Sequence, residues 1–201
     1  ATVQLGKIGI QAIVNTMGVS VSAAFAVVNR IDDFAYTPEQ NIAHAMTALM
    51  AQNKGAGKID RMKEGFRCGI ILETIYGILI FIICFALARP LMMMFVKDEE
   101  VIGHGVTYMH LISVMYLLPA LTNGIQGFFR GIGDLKITLI SSFINMALRV
   151  LAAAPLVLIW KMGIEALPYS YLAGWIGMLV AETPLLLKTY KTWGKKGETP
   201  C

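Results

Sequence analysis

The sequence predicts an all-α polytopic membrane protein, a lobe of six helices whose first helix is truncated. Of its 201 residues, 56% are hydrophobic and 15% charged. The mean hydropathy of +0.64 means more apolar surface than one soluble core can hide. The apolar residues arrive in runs that can cross ~30 Å of hydrocarbon, which takes about 20 helical residues each. The basic residues lie between those runs, so the formal charge of +4 reflects loop charge and topology rather than a nucleic-acid surface.

Residues 1–17 are moderately apolar and stop at Gly18, as if the chain entered partway along a span. Residues 19–50 follow, ~48 Å long as a helix, with an unusually polar second half. Four further spans, 68–88, 101–129, 137–160 and 164–187, are each bounded by Gly, Pro or charge. Residues 1–187 therefore form one transmembrane lobe, and 188–201 a short solvated tail. Residues 1–30 lack the basic start, short apolar core and small-residue cleavage site of a signal peptide. Cys68 and Cys84 lie in apolar stretches and Cys201 ends the tail, a spacing that suits neither a disulfide nor a metal site.

Orientation follows from the connections. Residues 52–67 carry Lys54, Lys58, Arg61, Lys63 and Arg67; Arg130 and Lys136 come two connections later; and the tail adds Lys188, Lys191, Lys195 and Lys196. The alternate connections are poorer in basic charge: Gly18 stands in one, Arg89 and Lys97 face Asp98, Glu99 and Glu100 in the next, and Lys161 stands in the last. The positive-inside rule then places the basic loops and the carboxy terminus in the cytoplasm of a multi-pass cell membrane protein with six crossings.

The functional argument rests on polar residues at membrane depth. Arg30, Asp33, Thr37, Gln40 and His44 recur at helical spacing and share one face of the second segment, with Asn29, Asp32, Tyr36 and Glu39 in a row beside them. A charge at the bilayer centre costs ~2.5–3.5 kcal/mol even on a lenient insertion scale, so this face is expected to line a cavity or pair internally. Pro38 removes one helix hydrogen bond within it, and a kink is expected there. The blander alternative is an Arg30–Asp33 ion pair, with Asp32, Glu39 and His44 as solvated residues at an aqueous boundary. Arg149 lies too deep in its span to snorkel and is expected to form a structural ion pair with Asp32, Asp33 or Glu39. Asn123, Gln126 and Asn145 add scattered polarity, while Glu73 and Glu182, near span ends, read as solvated carboxylates.

Gly124, Gly127 and Gly131 read as close helix contacts. No Gly-Lys-Ser/Thr follows a strand, His44, His104 and His110 have no paired metal spacing, and there is no Gly-x-Ser-x-Gly elbow. The expectation is a protein that is not an enzyme, with no metal and no nucleotide cofactor.

The run Gln52-Asn53-Lys54-Gly55-Ala56-Gly57, followed by Arg61, resembles the cytoplasmic loop after the eighth helix of multidrug and toxic compound extrusion (MATE) transporters. Arg130-Gly131-Ile132-Gly133-Asp134 resembles the family's loop after the tenth helix, and residues 23–39, with Arg30, Ile31 and Pro38, resemble its eighth. The resemblance implies the carboxy-terminal half of a two-lobed transporter, partnered by an amino-terminal six-helix lobe. It also implies alternating access, with sodium or protons moving inward and cationic, amphipathic drugs or toxic metabolites moving out. The family's acidic ligands on helices seven and ten have no match here, where Gln4, Lys7, Gln11, Asn123 and Gln126 stand instead. The coupling site is therefore expected at Asp32 and Asp33, supported by Arg30, Thr37, Glu39, Gln40 and Asn123. Expected partners are membrane lipid and small organic cations. The competing functions are a flippase for a lipid-linked oligosaccharide, which calls for more basic residues in the cavity, and a membrane scaffold that transports nothing.

Overall fold

The computed structural model describes residues 2–196, with side chains over 7–192; the side chains of Gln4, Lys195 and Lys196, and all of Cys201, lie outside the described residues. The described chain is a bundle of helices: α1 (Thr2–Asn15), α2 (Val19–Gly55), α3 (Ile59–Ala86), α4 (Ala88–Met93), α5 (Glu99–Ser113), α6 (Leu117–Gly131), α7 (Leu135–Leu158) and α8 (Ala166–Lys196). α2 lies against α3, α5 and α6, while α7 runs along α8 and α1 rests on α7. α3, α7 and α8 are each long and apolar enough to cross a membrane, and α5 with α6 passes the same test as a bent pair.

Apart from α8, which runs on to Lys196 through the first part of the expected tail, two differences from the sequence expectation bear on the site. α3 begins at Ile59 rather than at 68, and α2 continues to Gly55, so the basic connection shrinks to Ala56–Lys58. The charged residues between Asp60 and Arg67 mark solvent rather than a loop, because Lys, Arg and Glu are good helix formers. The reversal needs only Gly57, which adopts φ +68°, a conformation open to glycine at no steric cost. The second difference is in the span 101–129, which breaks at residues 114–116 and bends by 52° between α5 and α6. Pro119 explains the break: it has no N–H to give residue 115, and its ring clashes with a helical carbonyl four residues back. Pro38, by contrast, sits inside an α2 that is helical from Val19 to Gly55.

The apolar core is split into two clusters. Phe25, Val28, Tyr108, Ile112, Leu167 and Trp175 belong to one, and Met50, Met62, Ile125, Phe128 and Phe129 to the other. Along α2 the polar stretch from Asp32 to Gln40 falls between the buried residues that belong to the two clusters, with Tyr36 packed against the first. The outward faces of α3 and α7 carry exposed Leu72, Ile75, Leu79, Leu139, Phe143 and Leu151, which suits lipid rather than water.

α6 approaches α2 closely through two of its glycines. A side-chain carbon on Gly127 would stand 2.6 Å from the Ala43 carbonyl oxygen, and one on Gly131 would collide with Met50 Cβ and stand 2.6 Å from the Thr47 carbonyl oxygen. Backbone atoms cannot rotate away, so neither glycine tolerates a side chain without spreading the helices. The approach lets Thr47 Oγ1 donate to the Gly127 carbonyl at 3.1 Å. It also holds the polar part of α2 against Asn123 of α6, as described next.

Candidate functional site: a polar cavity behind the second helix

The two polar rows of α2 have different fates. Arg30, Asp33, Thr37, Gln40 and His44 are all exposed, whereas Asp32 and Glu39 are buried and Asn29 and Tyr36 half-buried. A cavity of about 580 Å³ opens beside this face; Asn29, Asp32, Asp33, Tyr36, Thr37 and Gln40 of α2 line it. Its other walls are Lys7 and Gln11 of α1, Asn123 and Gln126 of α6, Asn145 and Arg149 of α7, and Tyr171 and Trp175 of α8. The volume falls within the ~300–1,000 Å³ of small-molecule sites. Two carboxylates, Asp32 and Asp33, share the walls with two cations, Lys7 and Arg149, so the lining is mixed in charge. Arg30 and Glu39 do not line it.

Asp32 is 4% exposed and accepts a hydrogen bond from the Tyr116 hydroxyl. Tyr116 precedes the first residue of α6, so the break between α5 and α6 brings that hydroxyl to Asp32. Thr37 Oγ1 donates to the Asp33 carbonyl at 2.6 Å, one turn back along α2, and so does not cap the Asp33 carboxylate. Glu39 is fully buried and accepts a hydrogen bond from Asn123 Nδ2 at 3.4 Å. Asn123 thus links the cavity wall to a carboxylate behind it.

Arg149 is not the ion-pair clamp the sequence suggested. Among the described residues it forms no salt bridge. Its guanidinium carbon instead lies 3.3 Å from the centroid of the Tyr171 ring and 5.8 Å from that of Trp175. Gly174 makes this possible, since a side-chain carbon there would stand 2.5 Å from Arg149 Cγ. A cation over aromatic faces gains about 2 kcal/mol or more once desolvated, and the guanidinium remains close enough to attract Asp32 electrostatically. The spacing of Tyr171, Gly174 and Trp175 along α8 carried this signal, but an aromatic row reads first as core.

Glu73 and Glu182 correct a second expectation, because both are 0% exposed rather than solvated. Glu73 stands at the middle of α3, which starts earlier than the hydropathy pattern indicates. Neither of its oxygens has a hydrogen-bond partner among the described residues. The Glu182 oxygens likewise lack a bond of good geometry, although Ser141, Gln126 and Arg130 stand beside them.

The loop residues gather at one end of the bundle. The carbonyls of Gln52 and Asn53 accept from Ala56 N at 3.1 Å and Lys58 N at 2.9 Å, closing α2 around Gly55. Gly133 turns the chain into α7 at φ +84°, and Lys54 Nζ donates to the Ile132 carbonyl, tying the two turns together. Arg61 is exposed on the first turn of α3, while the Nε of half-buried Arg130 is enclosed without a partner among the described residues.

Comparison with known proteins places this arrangement. The family model MatE matches residues 1–154. The probable multidrug resistance protein YoeA of Bacillus subtilis is 29% identical over 96% of this chain and 42% of its own length. The probable multidrug resistance protein NorM of Thermotoga maritima is 24% identical over 81% of this chain and 34% of its own. The chain thus spans less than half the length of these relatives. Among solved structures, a multidrug resistance MATE family transporter in an outward-facing conformation superposes with a TM-score of 0.86 at 17% identity, covering 93% of this chain and 42% of the other. A MOP superfamily transporter from Pyrococcus furiosus, described as having a binding pocket of reverse polarity, superposes with a TM-score of 0.82 at 16% identity, covering 90% of this chain and 40% of the other. At such identities these two structures bear on the fold alone.

Proposed function

The chain belongs to the MatE family, and on that premise we propose that it is the carboxy-terminal lobe of an antiporter that exports cationic, amphipathic compounds by alternating access. The observation that carries the reading is the cavity of about 580 Å³ lined by Asp32, Asp33, Thr37 and Gln40 on α2. Carboxylates at membrane depth mark ion and substrate pathways, and this pair faces space rather than a packed seam. In the proposed cycle the Asp32–Asp33 pair carries a proton or sodium ion inward and exchanges it for an organic cation moving out. Arg149, held over Tyr171, keeps the empty site from being a bare pair of negative charges. The partner is an amino-terminal lobe of six helices, and the carboxy terminus lies in the cytoplasm. The mixed lining supports export of a cation over flipping of a lipid-linked pyrophosphate, which calls for a clearly basic cavity.

The reading is tested in efflux-deficient cells that express the complete natural reading frame. Ethidium accumulation should fall severalfold below that of cells carrying an empty vector, and collapse of the proton and sodium gradients should erase the difference. Equal accumulation, with the protein present in the membrane, would remove multidrug export from consideration and turn attention to lipid-linked substrates.

A further inference from the structure

Behind the cavity wall stand two carboxylates that the transport reading does not use. Glu39 of α2 and Glu73 of α3 are both 0% exposed, and neither lines the cavity. They meet at one point of α6: Asn123 donates to Glu39 Oε2, and Glu73 Cγ lies 3.6 Å from where a side chain on the next residue, Gly124, would begin. The two are close enough to repel each other.

We propose that Glu39 and Glu73 form an enclosed site for one small monovalent cation, reached from the cavity past Asn123 and distinct from the Asp32–Asp33 pair. The observation that points to a ligand is the state of the oxygens. Glu39 Oε1 and both oxygens of Glu73 are buried with no hydrogen-bond donor among the described residues. A carboxylate kept only to join helices would have its oxygens held by donors, and three of these four oxygens have none among the described residues. Nor does a basic group compensate them. The charged and titratable neighbours are Asp32 and Tyr36 on α2 and Tyr76 on α3; the Tyr76 hydroxyl already donates to the Ala35 carbonyl at 3.0 Å. A hard cation or a proton meets such a set of oxygens, because carboxylates suit hard ions and a buried charge needs a counter-charge. Asn123 is the one described side chain that both lines the cavity and bonds a member of the pair, Glu39, which makes it the point of entry.

The inference rests on the proposed coupling to a cation, but its test uses no drug and stands apart from export. The complete protein is purified in detergent as wild type, Glu39→Gln, Glu73→Gln and Glu73→Asp. Equilibrium binding of radioactive sodium is measured, together with the infrared band of protonated carboxyl groups as pH is raised and lowered. If sodium is the ion, either Gln variant weakens its binding about tenfold or more, while Glu73→Asp retains part of it. If the ion is a proton, any sodium binding is the same in wild type and variants, and a protonated-carboxyl band that vanishes reversibly on raising the pH is lost in both Gln variants and kept in Glu73→Asp. Either pattern supports the site. Unchanged sodium binding and an unchanged band in correctly folded Gln variants would overturn it. Ion binding without ethidium export would instead sink the transport reading and leave the site standing.

Discussion

Asp32→Asn in the complete protein is expected to return ethidium accumulation to the level of cells without the transporter. The substitution is nearly isosteric, and its amide oxygen can still accept from the Tyr116 hydroxyl that now bonds Asp32. Packing is therefore spared and only the charge is removed. If the Asp32–Asp33 pair carries the coupling ion, export loses its driving force: a residue acting in coupling should lower the maximal rate, whereas one that only positions substrate should raise the concentration at half-maximal rate. Asp33→Asn is expected to act in the same direction, because Asp33 faces the same cavity. Full export by correctly inserted Asp32→Asn would remove Asp32 from the coupling, and full export by Asp33→Asn as well would remove the pair.

The second large effect is expected at Arg149. Arg149→Ala removes the guanidinium stacked 3.3 Å from the Tyr171 centroid and withdraws a positive charge that acts on the buried Asp32. A loss of about 1–2 kcal/mol follows from the stacking at this half-buried position, which corresponds to a fall in Tm of about 2–8 °C for a unit of this size. Arg149→Lys should recover little, since an ammonium has neither the planar face nor the fork of a guanidinium. Adding Asp32→Asn to Arg149→Ala should restore part of the stability, because the uncompensated carboxylate is then gone. Thermal unfolding of the purified protein followed by tryptophan fluorescence measures both; equal Tm for wild type and Arg149→Ala would refute the stacking account.

The elements most legible in the sequence were those governed by period and composition. The apolar runs marked α3, α7 and α8, and the three-and-four spacing from Arg30 to His44 identified a face that is exposed along its whole length. Less legible was what depends on where backbone and side chains meet across helices. The break before α6 follows from Pro119 inside an otherwise apolar run, and hydropathy averages over a proline. Glu73 was misplaced because the charged turns before it looked like loop, although residues 59–86 form a continuous helix. The aromatic seat of Arg149 depends on Gly174, whose missing side chain leaves room for the arginine stem, and a lone sequence gives no register between α7 and α8. Composition also favoured an acidic partner for Arg149, since a ring face carries no formal charge to count.

The central claim is that the exposed face of α2 from Asp33 to Gln40 lines a water-filled transport cavity, and Thr37 is the position that tests it most directly. It is exposed and lines the cavity between Asp33 and Gln40. Thr37→Cys is placed in the complete protein after Cys68, Cys84 and Cys201 are replaced by serine, and intact cells are treated with a charged, membrane-impermeant thiol reagent. Rapid labelling that slows when ethidium is added is the expected result. A thiol that stays inert in intact cells and in inside-out membrane vesicles alike, with or without ethidium, would mean that this face is sealed in a helix seam, and the reading as a transport cavity would be wrong.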